Sequence, residues 1–121
     1  MKRLYSLKRN KEFRYVYKTG KAIASKCLVL VYRRSNHELP RIGFSVSKKI
    51  GNSVTRNRVK RRMRAAFSPL LPRVKPGSSI IFVAREPILN ESFLGIVESI
   101  EGLLNKAGLL SPTDDMKARE Q

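Results

Sequence analysis

The stretch GNSVTRNRVKRRMRAAF, residues 51–67, holds six Arg or Lys side chains and no Asp or Glu. Guanidinium groups at this density suit one kind of chemistry. Their planar forks donate paired hydrogen bonds to phosphate oxygens, and their charge neutralises a polyanion. An ordinary solvated helix mixes signs to gain pairs at i, i+4, which this stretch does not do. Residues fit for bond cleavage are scarce beside it. Glu12 and Glu38 are the only acids in residues 1–75, so no carboxylate cluster is available there to hold catalytic metal ions. His37 is the one histidine, in an expected turn, without an evident orienting partner for general-base work. Cys27 is the one cysteine and sits in an apolar run, as a small buried residue would.

The charge of the whole chain points the same way. The 121 residues carry a net charge of +17, and 22 of the 26 Lys and Arg lie within residues 1–75. Residues 76–121 hold seven of the nine acids and read as supporting scaffold. Such an excess strains a compact fold by self-repulsion and implies a polyanionic partner, best a nucleic acid. A single cysteine excludes an internal disulfide and a cysteine-based zinc site and fits a reducing, cytoplasmic setting. The opening MKRLYSLKRN lacks the apolar run of a secretory signal, and no stretch is long enough for a membrane span. Neither a membrane nor a small-molecule substrate is expected.

Several elements must position these residues. KEFRYVYK reads as a short helix capped by Asn10 and closed by Gly20, with Phe13, Val16 and Tyr17 on one face. CLVLVYRR, 27–34, reads as a strand, SNHELP as a turn, and RIGFSVS, 41–47, as an alternating strand paired antiparallel with the first. The basic stretch is a helix capped by Asn52 or Ser53, with an apolar seam of Val59, Met63, Ala66, Phe67 and Leu70. At 100° per residue, Asn57, Arg61 and Arg64 lie opposite that seam, flanked by Lys60 and by Arg58 with Arg62. Arg56 stands in the first turn, free to swing outward, and Lys48 and Lys49 extend the patch. Pro69 and Pro72 end the helix. SSIIFVA, 78–84, is a buried strand. Asn90 is expected to cap a last helix with an apolar face of Phe93, Ile96, Val97, Ile100, Leu103 and Leu104, ended by Gly108. The order α-β-β-α-β-α predicts an α+β fold, a small α/β sandwich, with a parallel strand–helix–strand crossover from Arg41 to Ala84. By the general rule that crossover is right-handed. Residues 1–110 read as one RNA-binding domain and 111–121 as a flexible polar tail.

The run RIGFSVSKKIGNSVTRNRVKRRMRAAF resembles the signature of the protein subunit of bacterial ribonuclease P. The family's Arg-Asn-Arg motif stands at Arg56-Asn57-Arg58, followed by Lys60, Arg61 and Arg64. KEFRYVYKTGK is similar to the family's first helix and SSIIFVARE to its late strand, so the likeness runs from about Leu7 to Leu104. It implies a fold shared with a ribosomal-protein domain, with a left-handed crossover against the general rule. It implies a catalytic RNA as partner, which uses magnesium to remove the 5′ leader of precursor tRNA, the protein itself having no catalytic residue and no metal site. The catalytic RNA would lie on Lys48, Lys49, Arg56, Asn57, Arg58, Lys60, Arg61 and Arg64. A cleft lined by Phe13, Tyr17, Val29, Val31 and Ser45 would take the single-stranded leader. Three other readings come from the residues alone: a ribosomal or ribosome-assembly protein, a DNA-binding module using the basic helix, and an autonomous nuclease.

Overall fold

The structure, a computed structural model, describes residues 10–36 and 38–111. Helix α1 spans Asn10–Thr19, followed by strands β1 (Lys21–Ala24), β2 (Leu28–Arg34) and β3 (Arg41–Ser45). A 3-10 turn at Lys48–Ile50 leads into α2 (Ser53–Phe67), then β4 (Ser78–Ala84) and α3 (Phe93–Lys106). The strands form one sheet in the order β1-β2-β4-β3. β3 and β4 are parallel neighbours joined through α2, which is the expected crossover.

One expectation about the sheet is corrected. β2 and β3 are not an antiparallel pair, because β4 lies between them and pairs antiparallel with β2. The reason is burial. β4 is apolar on consecutive residues and nearly all of it is buried, so it takes a central place covered on both faces. The alternating β3 has one strongly apolar face and takes the edge. Residues 35–40 connect the two strands over the end of β4, a span that six residues reach easily. β1 was not anticipated; only Ile23 of its four residues packs on the core, too weak a pattern to read.

The sheet separates two apolar clusters. Leu28, Leu30, Ile42, Phe44, Ile80 and Phe82 face the larger one, with Val59, Met63, Ala66 and Phe67 of α2 and Ile96, Ile100, Leu103 and Leu104 of α3. All five seam residues from Val59 to Leu70 are buried, as their spacing requires. On the other face α1 lays Val16 onto Val31 and Ile81.

The helix ends explain where each element starts and stops. Asn52 caps α2, its Oδ1 accepting the Thr55 N–H at 2.9 Å. Ser92, not Asn90, caps α3: its Oγ accepts the Gly95 N–H at 3.0 Å, while Asn90 closes a 3-10 turn from Glu86. With the helix starting later, Phe93 falls in its first turn and is 46% exposed rather than core. Gly108, at φ 71°, ends α3 with two backbone bonds, Gly108 N–H to Asn105 O and Leu109 N–H to Leu104 O. Gly20 is required for a different reason: a Cβ there would lie 2.7 Å from the Tyr32 and Val16 carbonyl oxygens. His37 and the tail from residue 112 lie outside the described residues.

Candidate nucleic-acid interface

The apolar seam of α2 fixes which side chains point outward. With Val59, Met63, Ala66 and Phe67 buried, Asn57, Arg58, Arg61 and Arg64 are exposed on the opposite arc, and Lys60 is half-buried beside them. The 3-10 turn before the helix is pinned by Ile50, which is buried, so Lys48 and Lys49 face solvent and lengthen the arc. The Arg64 guanidinium lies 5.9 Å from the Phe44 ring centroid, which sets one edge of the patch against strand β3.

Two arginines behave differently from their helical positions. Arg62 turns inward, and its Nη2 donates to the Glu91 carbonyl at 2.9 Å, tying α2 to the start of α3. Arg62→Ala is therefore expected to lower folding stability by about 1.5–3 kcal/mol, the usual loss for a charged hydrogen bond. RNA affinity of the folded protein should barely change. Chemical denaturation and RNA titration of that variant separate the two effects, and the reverse pattern would put Arg62 on the RNA face. Arg56 is half-buried, with its Nε enclosed and without a hydrogen-bond partner among the described residues, so it does not swing freely.

Among the described residues one ion pair forms, Arg73 to Glu101 at 3.1 Å, and it is away from this arc. The cations of α2 and of Lys48 and Lys49 thus repel one another without an ion-pair partner among those residues. Helix propensity and the buried seam hold the helix; an external anion is what the arc lacks.

The second candidate surface lies on the α1 side of the sheet. Strand register aligns Ala24, Val29, Val83 and Ser45 in one row across all four strands. Val29, Val83 and Ser45 are half-buried, a shallow floor of small side chains. Phe13 is half-buried against the Val16, Val31 and Ile81 cluster, while Tyr17, one turn on, is 55% exposed. The three share one side of the helix as their spacing predicts, with Val16 at its buried centre and Tyr17 at its open edge. The expectation for Val31 is corrected. At 5% exposure it lies beneath α1 in the packed cluster and does not border open space. Val83 joins the floor instead; its alternation with Phe82 in SSIIFVA was the available signal. The floor reaches Ser45 at the end of β3, from which the chain runs on to Lys48 and Lys49. Aromatic walls, an apolar floor and flanking cations suit unstacked bases and their phosphates.

No group of three or more His, Cys, Asp or Glu side chains comes together among the described residues. Cys27 is buried in the larger core. No described helix is long and apolar enough to cross a membrane.

The sequence matches the ribonuclease P family over residues 1–108. It is 45% identical to the ribonuclease P protein component of Oceanobacillus iheyensis, covering 93% of this chain and 94% of that protein. It is 43% identical to that of Caldanaerobacter subterraneus, over 88% of this chain and 92% of the other. The fold is similar to the RNase P protein of Staphylococcus aureus, with a TM-score of 0.79 and 33% identity over 88% of this chain and 98% of that one. It is also similar to the RNase P protein of Thermotoga maritima, with a TM-score of 0.75 and 25% identity, covering 84% and 96% of the two chains.

Proposed function

This chain belongs to the ribonuclease P protein-component family, and we propose that it binds the catalytic RNA of that ribonucleoprotein through the cationic arc of α2. A ribonuclease P protein component is part of an endonuclease ribonucleoprotein; the division of labour proposed here gives the cleavage to the RNA. The observation that carries this reading is an arc of cations that, among the described residues, has no ion-pair partner and no metal-binding carboxylate cluster beside it. In this reading magnesium is held by the RNA, where it supplies Lewis-acid assistance to phosphodiester hydrolysis. The protein offsets RNA–RNA repulsion, and the floor beside Phe13 and Tyr17 receives the 5′ leader of precursor tRNA. Contacts that mature tRNA lacks favour substrate over product by differential binding. Assembly with RNA fits a cytoplasmic location. The ribosomal reading is not favoured, since the relatives matched are ribonuclease P protein components.

Reconstitution with the catalytic RNA and a precursor tRNA tests this. Protein alone is expected not to process the precursor, and protein with RNA to do so at low magnesium. Processing by rigorously RNA-free protein would overturn the division of labour. In the same system, Phe13→Ala is expected to weaken precursor binding by about five- to a hundredfold, the loss of a stacked base, with mature tRNA unaffected. Equal weakening for both ligands would move the leader to another surface.

A further inference from the structure

Helix α1 has a second flank, turned away from Phe13 and Tyr17, and it borders a different kind of surface. Glu12, Tyr15, Arg33, Arg34, Asn36 and Ser79 line a pocket of about 390 Å³ there. That volume is in the range of small-ligand sites. The strand register that makes an apolar row at Ser45 makes a cationic one here: Arg33 of β2, Ser79 of β4 and Arg41 of β3 are aligned partners on the α1 face. The two rows stand at opposite ends of the sheet.

We propose that this pocket is a second RNA subsite, one that takes a nucleoside and its phosphate. Four features specify the ligand. The Arg33 guanidinium lies over the Tyr15 ring, 4.8 Å from its centroid, while Tyr15 stays 54% exposed. A cation stacked on a ring presents a flat, charged layer on which a base can stack in turn. Arg34 is exposed beside it and supplies a phosphate contact. Glu12 is the one carboxylate in the lining. It repels a bare anion but accepts from the 2′-hydroxyl or exocyclic amine of a nucleotide, so it selects for RNA over inorganic phosphate. Asn36 adds both a donor and an acceptor for a base edge.

The pocket also has a continuation that a strand can follow. A hollow of about 760 Å³ shares Arg33 and Arg34 and adds Lys21, Tyr32 and Lys75. Cations at each step of that path suit a polymer better than a single nucleotide. The inference does not depend on which RNA the arc of α2 holds, because the two surfaces share no residue.

The test uses the full chain and a labelled twelve-nucleotide oligouridylate, titrated by fluorescence anisotropy, with thermal unfolding recorded for every variant. Tyr15→Ala combined with Arg33→Gln is expected to lower affinity roughly five- to a hundredfold, and Arg34→Gln to make the salt dependence shallower by about 0.7, one single-strand phosphate contact. Arg33→Lys, which keeps the charge and loses the planar stack, should fall between that double variant and the wild type. It also supplies the answer if the double variant does not fold. Glu12→Gln should leave binding the same or weaker; tighter binding would mark an anion hole and overturn the nucleotide reading. Unchanged affinity in Arg33→Lys and in a folded double variant would overturn the subsite. Displacement of the oligomer by polyglutamate as readily as by unlabelled RNA would assign the pocket to an acidic peptide instead.

Discussion

Phe82→Ala is expected to remove about 3–5 kcal/mol of folding stability. Phe82 is fully buried on the central strand β4, where its ring meets Phe44 at 5.9 Å in a stacked arrangement and Phe67 at 5.6 Å, tilted. Phe44 and Phe67 meet edge-on at 6.0 Å, so three rings from β3, β4 and α2 close one aromatic triangle. Removing its central member leaves a cavity walled by two helices and a sheet, which cannot collapse without moving the crossover. A small domain has roughly 5–15 kcal/mol to lose, and self-repulsion at a net charge of +17 lowers that reserve at low salt. The variant should be mostly unfolded in dilute buffer and, on the proposed anion-binding role of the arc, recover partly with sulfate or RNA. Urea denaturation in the presence of sulfate measures the loss as a lower midpoint with an unchanged slope. A cost under about 1 kcal/mol would mean that the triangle does not form in solution.

The same triangle shows what the sequence made legible. The spacing of Phe67 with Val59 and Met63 puts it in the seam of α2, and alternation puts Phe44 on the apolar side of its strand. Both assignments hold because period alone decides which face a residue takes. Which strands become neighbours is not a matter of period. The alternating pattern of β3 and the continuous one of β4 describe burial, and only the competition for the covered central place puts β4 beside β2. The two proposed RNA surfaces differ in the same way. The cationic arc of α2 follows from one helix and one seam, so its residues could be named by angle. Arg62 and Arg56 departed from it because side-chain reach, not backbone angle, decided their ends. The floor at Val29, Val83 and Ser45 is a row across strands, and it needed the register. The resemblance puts Val31 on that floor, whereas it lies under α1 against Val16.

That difference makes the arc the surface on which charge can be removed most cleanly. Arg58, Arg61 and Arg64 are exposed and on the side away from the buried seam. Arg64 alone has a ring beside it, and the Phe44 contact at 5.9 Å is with a residue already held by two other aromatics. Replacing all three with Ala should therefore leave the fold intact, and relief of repulsion should offset part of any lost packing. If each arginine neutralises one phosphate of a helical RNA, the variant releases three fewer counterions. Its salt slope should be shallower by about 2.7, taking about 0.9 per phosphate. Between 50 and 200 mM salt the wild type should then lose about fortyfold more affinity than the variant. The triple variant and the wild type should bind the leader-free oligouridylate with more similar affinities, since that ligand is expected on the α1 side of the sheet. Titration of both proteins with the catalytic RNA at several salt concentrations gives the slopes directly. Parallel slopes, with both proteins folded, would show that these arginines face solvent in the complex. The RNA would then have to lie on the remaining cations, foremost Lys48 and Lys49.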